Sequence, residues 1–293
     1  MTEALLDSGL LRRLEQMELV VRRIFAGKIR GERKSPRRGL GSEFADYRDY
    51  VQGDDPRFID WNLWGRLDRF FVKLYHEEED LHLSIFLDTS MSMKFGEPAK
   101  LRAAMQLAAG TAYVGLCNFD RVSIEANSAD GRRIYGPARG KRNMRRLLDF
   151  FAELEPGGST DLAPALKSFS LRNRSPGMKV VISDFLDRSG YEPALRWLLQ
   201  GPGENVILHI LSPQEVNPDL VGDLALIDGE DGGQTDVSIT GGLIRRYKKN
   251  LANLCGGLQQ FCRRRGMLYF FLQSTVPLED VLLKAFRQAR VFK

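Results

Sequence analysis

The stretch Leu81-His-Leu-Ser-Ile-Phe-Leu-Asp88-Thr-Ser-Met-Ser92 decides how this chain is read. A short apolar run that stops abruptly on an aspartate is what a strand buried on both faces looks like where it meets solvent. Ala99–Leu116 follows, rich in Ala and Leu, with Pro98 as its start signal, and reads as a helix. Further along, the same alternation recurs. Arg121–Ala126, Met178–Ile182, Val206–Leu211 and Met267–Leu272 read as strands. Lys141–Leu154, Tyr191–Leu199, Leu243–Arg264 and Leu278–Ala289 read as helices. Strands alternating with helices predict an α/β fold, a Rossmann-like, doubly wound and mostly parallel sheet covered on both faces.

Two stretches break the alternation. Residues 39–80 look irregular and carry Phe44, Tyr47, Tyr50, Phe58, Trp61 and Trp64. Residues 222–240 hold Leu224–Ile227, a Gly-rich turn at Asp228–Gly233 and Val237–Ile239, the pattern of a β-hairpin laid on the main sheet as an ornament. Before them, Leu10, Leu11, Leu14, Met17, Val21 and Phe25 fall near helical spacing, predicting an amphipathic helix. A basic stretch follows, with Lys28, Arg30, Arg33, Lys34, Arg37 and Arg38 broken by glycines and Pro36. It reads as a loop, either solvated linker or a grip on phosphate or acidic protein. The expected organisation is therefore 1–38, 39–80 and 81–293.

Composition agrees with a globular chain. Of 293 residues, 43% are hydrophobic and 28% charged, which excludes a disordered or collagen-like protein. Lys and Arg number 43 against 38 Asp and Glu, an excess too mild to make a nucleic-acid binder by itself. The three cysteines, Cys117, Cys255 and Cys262, form no CxxC pair and are expected to be reduced thiols. Charges interrupt every apolar run, so no membrane span or signal peptide is expected, and the reading is a cytoplasmic protein.

In a doubly wound sheet, ligands bind outside the carboxyl ends of the strands. Three loops there are rich in oxygen: Asp88-Thr-Ser90-Met-Ser92, Gly157-Gly-Ser-Thr160-Asp161 and Ser183-Asp184. Hydroxyls and a few carboxylates suit Mg²⁺ or Mn²⁺, hard ions that keep some waters. The competing reading is that Asp88 and Ser90 merely cap the following helix.

The first loop, with Thr160 and Asp184, resembles the metal-ion-dependent adhesion site of von Willebrand factor A domains. That resemblance implies Ser90 and Ser92 as direct ligands, Thr160 as direct or water-linked, and Asp88 and Asp184 as direct or water-linked. A partner's Asp or Glu would complete the coordination. Met91 stands where such loops commonly carry glycine. The segment Glu43-Phe-Ala-Asp-Tyr-Arg48-Asp-Tyr50, followed by Gly53-Asp-Asp-Pro-Arg57-Phe-Ile-Asp60-Trp61, resembles the signature of the bacterial domain-of-unknown-function-58 family. Its members place that signature upstream of a von Willebrand A-like domain, and are often encoded beside MoxR-type AAA+ ATPases. The implied role is a non-enzymatic, chaperone-like adaptor for such an ATPase or its client.

The signature admits two physical readings. Arg57 and Asp60 could form a buried pair, with Trp61 and Trp64 as packed anchors. Alternatively Arg48, Arg57, Trp61 and Trp64 form an exposed docking patch, since Trp and Arg are frequent interface hot spots. Glu77–Asp80 reads as a solvated acidic face.

Enzymatic alternatives lack their parts. The chain has no GxxxxGK[ST] run, no G-x-S-x-G elbow and no H-E-x-x-H zinc motif among His76, His82 and His209. A Mg²⁺-dependent phosphohydrolase is conceivable, but position 90, two after Asp88, is Ser and not the Asp of a D-x-D pair. Basic clusters at Arg132–Arg146, Arg245–Lys249 and Arg263–Arg265 keep a polyanion-binding alternative open.

Overall fold

In the computed structural model, which describes residues 5–21, 34–37, 43–78, 81–187, 189–220, 222–227 and 233–293, the decisive run lies inside a six-stranded sheet. In chain order the first elements are α1 (Ser8–Leu14), β1 (Lys34–Arg37), β2 (Glu43–Asp49), α2 (Trp61–Leu67) and β3 (Phe71–Glu78). Then come β4 (His82–Asp88), α3 (Lys100–Cys117), β5 (Arg121–Ser128), β6 (Gly131–Ala138), α4 (Met144–Ala152) and α5 (Leu162–Arg172). β7 (Gly177–Ser183), α6 (Tyr191–Arg196), β8 (Glu204–Leu211), α7 (Pro213–Val216), β9 (Gly222–Ile227) and β10 (Gln234–Ile239) follow. The chain closes with α8 (Gly241–Arg264), β11 (Leu268–Gln273) and α9 (Phe286–Gln288).

Strand order is β11-β8-β7-β4-β5-β6, parallel except for β6, which runs antiparallel to β5. This is the mostly parallel, doubly wound sheet that the alternation predicts. Strand periodicity explains why both faces are covered. Leu83, Ile85 and Leu87 point into a core shared with Ala104, Ala108 and Ala112 of α3. Phe86 points the other way, among Leu166, Phe169, Val181, Ile207 and Leu258. Each fully buried side chain of this size contributes about 1.5–3 kcal/mol of apolar transfer, so a strand flanked by helices on both sides can be almost wholly apolar.

The chain forms two compact units, Met1–Ile24 with Leu81–Lys293, and Phe25–Asp80. Expectation and structure differ at four places. The first helix stops at Leu14, with Asp7 capping its start. Met17, Leu19 and Val21 are still buried, but on an extended segment that pairs with the C-terminus through a Leu19–Phe292 bridge. Met17, Leu19 and Val21 are two residues apart, the period of extended chain, and the four-residue step from Met17 to Val21 fits that period as well as a helix. Phe25 lies outside the described residues.

In the second unit, residues read as irregular form a three-stranded antiparallel sheet, β1-β3-β2. A register shift between Phe44 and Asp46 breaks the two-residue period that would have betrayed β2. Of the basic stretch, Lys34–Arg37 forms β1, and Lys28, Arg30, Arg33 and Arg38 lie outside the described residues. Glu77 and Glu78 end β3, while Glu79 and Asp80 lie outside the described residues. β6 was hidden by Arg132, Arg133 and Pro137, residue types that edge strands tolerate and central strands do not. The hairpin is present as β9–β10, pairing with itself and adding no strand to the main sheet.

One glycine is required by strand packing. Gly177 opens β7 opposite His82, and a Cβ there would lie 2.0 Å from the His82 carbonyl oxygen. Gly177→Ala should therefore cost about 2 kcal/mol, because the strands must separate. A urea midpoint unchanged from wild type would show that the ladder yields freely at this point.

Candidate functional site

β4 ends at Asp88, and the loop beyond it is stitched to its neighbours by backbone hydrogen bonds. Thr89 N–H donates to Asn127 O (2.9 Å), Gly157 N–H to Thr89 O (3.0 Å) and Met91 N–H to Gly158 O (2.7 Å). Gly158 has φ +50°, and a Cβ there would lie 2.4 Å from the Ala129 side chain. Glycine thus lets the Gly157–Asp161 loop approach the loop after β5, bringing Thr160 to the strand ends.

Asp88 does not cap the following helix. α3 begins twelve residues later, with Ala99 at its cap position. The Asp88 carboxylate instead faces inward. Its Oδ1 accepts from Ser90 N–H (3.0 Å) and its Oδ2 from the Ser183 hydroxyl (2.6 Å). Ser90 Oγ lies 3.0 Å from Ser92 Oγ, and Thr160 Oγ1 donates to Asn127 O (3.2 Å). Asp184 accepts from Leu186 N–H (3.2 Å) on Oδ1 and from the Lys100 ammonium (2.7 Å) on Oδ2. Asp88, Ser90, Ser92, Thr160 and Asp184 all line one cavity of about 1000 Å³, with Met91, Phe95, Leu186 and Tyr247 on its apolar side.

Burial, and secondarily the charge of Asp184, raise the Asp88 carboxyl to about 6, against the hydrogen bonds from Ser183 and Ser90 that favour its ionised form. An Asp88 carboxyl whose ionisation is opposed by burial and by the charge of Asp184, beside a pair of touching hydroxyls, belongs to a set of hard oxygen donors short of positive charge. That chemistry fits a small divalent cation such as Mg²⁺ or Mn²⁺. His209 is fully buried nearby, with Nδ1 2.9 Å from the Tyr269 hydroxyl. Burial pushes its imidazole down to about 4, so it stays neutral.

Two participants, Lys100 and Glu215, escaped the sequence reading, and a third, Ser183, stood in a quoted loop without a role. Ser183 holds Asp88, while Lys100 and Glu215 form an ion pair beside Asp184. Lys100 left a trace: a lysine at the first position of a helix opposes the helix dipole and needs a reason. Glu215 was disguised, since Ser212-Pro-Gln-Glu215 is a capping box that α7 forms.

The signature region differs from the buried-pair expectation. Arg57 pairs with Asp55 (2.7 Å), and its side chain is 84% exposed. Asp60 is instead held by Lys73 (3.1 Å) and the Tyr47 hydroxyl (3.0 Å), while accepting from Asn62 N–H to cap α2. Arg57 is two residues from Asp55 in a tight turn, which gives the nearer carboxylate the advantage. Arg48 bonds the buried Asp54 (2.8 Å) and so fixes the loop. Trp61 and Trp64 are 57% and 41% exposed, edge-to-face with one another, and Trp64 stacks on Phe70 at 5.9 Å. They are not buried anchors. Elsewhere, Arg132 and Arg133 on β6, Arg142 in the turn before α4, and Arg145 and Arg146 on α4 are exposed, as are Arg245, Arg246, Lys248 and Lys249 on α8.

The family model described as "Protein of unknown function DUF58" matches residues 46–254, a span holding the signature from Asp46 onward and all five cavity residues. The chain belongs to the DUF58 family. Uncharacterized proteins of Mycobacterium tuberculosis and Mycobacterium bovis are 30% identical to it over 240 residues, covering 80% of this chain and 75% of theirs. Among solved structures, BatB of Bacteroides thetaiotaomicron aligns with a TM-score of 0.43 at 16% identity, covering 71% of this chain and 96% of that one. An aerotolerance-related membrane protein of Bacteroides fragilis aligns with a TM-score of 0.43 at 16% identity, covering 72% and 98%. Among the described residues of this DUF58 chain, no helix is long and apolar enough to cross a membrane.

Proposed function

We propose that this DUF58 protein is a non-enzymatic adaptor that grips a partner protein through a divalent cation, Mg²⁺ or Mn²⁺. Asp88, Ser90, Ser92, Thr160 and Asp184 hold the ion, and a carboxylate of the partner completes its coordination. The observation that carries this reading is the convergence of all five residues on one open cavity at the carboxyl ends of the strands. The arrangement favours binding over catalysis. The hydroxyls of Ser90 and Ser92 contact each other, with Ser90 also beside the Asp88 carboxylate, and that of Thr160 contacts a backbone carbonyl, an array of oxygen donors and not a nucleophile aligned on an imidazole. The expected partner is a MoxR-type AAA+ ATPase or its client, as the family resemblance implies.

A second contact is supported by the exposed Trp61–Trp64–Phe70 cluster, whose aromatic area is the kind that dominates interfaces. Arg57, exposed and paired with its neighbour Asp55, is the signature's second candidate contact residue. Arg48 has a structural role through Asp54.

Capture of a purified MoxR-type ATPase in Mg²⁺ and in EDTA tests the reading. Wild type should retain it only with Mg²⁺, and Asp88→Ala in neither. The double variant Trp61→Ala/Trp64→Ala should lose affinity at least tenfold while still binding Mg²⁺. Equal capture by Asp88→Ala and wild type would remove the cation from the account. Capture lost only as salt rises, whatever the metal, would favour the basic faces.

A further inference from the structure

Lys100 is completely buried, although lysine is among the residues least often found there. It is the first residue of α3, and its ammonium is shared between two acids. One is Asp184, at 2.7 Å; the other is Glu215, bonded to it through Oε1. The remaining oxygens of both acids are occupied as well. Asp184 Oδ1 accepts from Leu186 N–H (3.2 Å), and Glu215 Oε2 accepts from Ser212 N–H (2.7 Å) and the Ser212 hydroxyl (3.0 Å). The ammonium is therefore fixed, and it is directly bonded to one of the five cavity residues.

Charge arithmetic gives the lysine a purpose. Asp88, Asp184 and Glu215 carry three negative charges and Lys100 one positive, so the ionised cluster is balanced by one divalent cation. A neutral centre can still accept a carboxylate from outside. Without the ammonium, the same centre would be anionic and would repel one. We propose that Lys100 is a specificity-determining internal counter-charge: it weakens the hold of the site on the divalent cation and, by doing so, keeps the bound cation receptive to a partner's carboxylate. The inference rests on the metal-adaptor reading. It adds that the fourth charge of the centre comes from α3, and that metal affinity and carboxylate affinity oppose one another. Lys100 acts through Asp184 and is a positioning residue.

The opposition separates this role from a structural one. Calorimetric titration of the full chain with Mg²⁺ gives the first constant. The second is the affinity of acetate for the Mn²⁺-loaded protein, followed by water-proton relaxation. Lys100→Met should bind Mg²⁺ about tenfold more tightly and acetate about tenfold more weakly. Lys100→Arg, which keeps the charge, should restore both toward wild type. Glu215→Gln, which removes a negative charge and can keep the bonds to Ser212, should move both constants the opposite way. It keeps the test decisive if Lys100→Met does not fold. If wild type binds Mg²⁺ and Lys100→Met binds it equally or more weakly, or Glu215→Gln leaves both constants unchanged, the counter-charge role is overturned and the adaptor reading stands. If neither wild type nor Lys100→Met binds Mg²⁺, the adaptor reading falls and takes this inference with it. A silent wild type beside a binding Lys100→Met would uphold the counter-charge, acting strongly enough to exclude the ion.

Discussion

Replacing Lys100 by Met should destabilise the protein in EDTA by about 3–5 kcal/mol, the range found when one partner of a buried ion pair is removed. The magnitude follows from what is left behind. The Asp184 and Glu215 side chains are 4% and 12% exposed, so neither can recover by hydration the charge interaction it loses. The methionine itself fits, since it matches the apolar stem of lysine in length and the space around the start of α3 is already formed. The cost is therefore electrostatic, and it identifies its own remedy. Mg²⁺ near saturation should return about 1.4 kcal/mol of the loss, the free-energy equivalent of the tenfold tighter binding, because a divalent ion offers the carboxylates part of what the ammonium offered. Denaturant unfolding of wild type and Lys100→Met, each in EDTA and in Mg²⁺, measures all four stabilities. A loss under 1 kcal/mol in EDTA, or the same loss in Mg²⁺, would show that water reaches the acids and that lysine and metal are not coupled. The stability and titration experiments ask different questions. The first asks whether the ammonium is needed for the fold without metal, the second whether it shapes the centre once metal is bound.

Lys100 also marks the boundary of what the sequence discloses. The sheet was legible because its strands are apolar on both faces, and β4, β7 and β8 stand out between helices of ordinary amphipathic character. The cavity was legible because the doubly wound topology brings strand ends together, so that Asp88, Thr160 and Asp184 become neighbours although they lie far apart in the chain. Neither argument reaches Lys100. It sits twelve residues after Asp88, on a helix, and only the packing of α3 against β4 and the placement of the Ser212–Glu215 turn aim its ammonium at Asp184. The same holds for the second unit. One of its strands carries a bulge and charges break the alternation, so aromatic residues alone signalled order there. The Arg57–Asp60 pairing failed for a local reason. Backbone geometry places Asp55 beside Arg57 in the Pro56 turn and commits Asp60 to capping α2. Spacing identifies which residues can meet along an element; it does not rank competing partners once the chain bends.

Asp88→Asn should make the metal-free protein more stable above neutral pH, by about 2 kcal/mol. The carboxyl of Asp88 is raised from its ordinary 3.8 to about 6, chiefly by burial and then by the charge of Asp184. For an acid so raised, the folded state prefers the protonated form. Its contribution to stability is fully present below about 3.8 and is lost as pH rises through 6. Complete ionisation then costs about 3 kcal/mol, from a shift near two units at 1.36 kcal/mol each. Asparagine cannot ionise and escapes that cost. It returns about 1 kcal/mol, because its single carbonyl cannot accept from both Ser90 N–H and the Ser183 hydroxyl as the carboxylate does. In EDTA the difference in unfolding free energy between wild type and Asp88→Asn should therefore shift in favour of the variant between pH 4 and pH 7. Taking the difference cancels the other titrating groups. With Mg²⁺ the order should reverse, since the ion binds the wild-type carboxylate and stabilises it by mass action while the variant gains little. A difference that stays flat from pH 4 to 7 would mean that Asp88 is adequately solvated or already compensated within the protein. In that case the shortage of positive charge on which the cation assignment depends would not exist. A pH-dependent difference that Mg²⁺ abolishes would instead establish Asp88 as a carboxylate kept at a cost in stability because the site needs its charge.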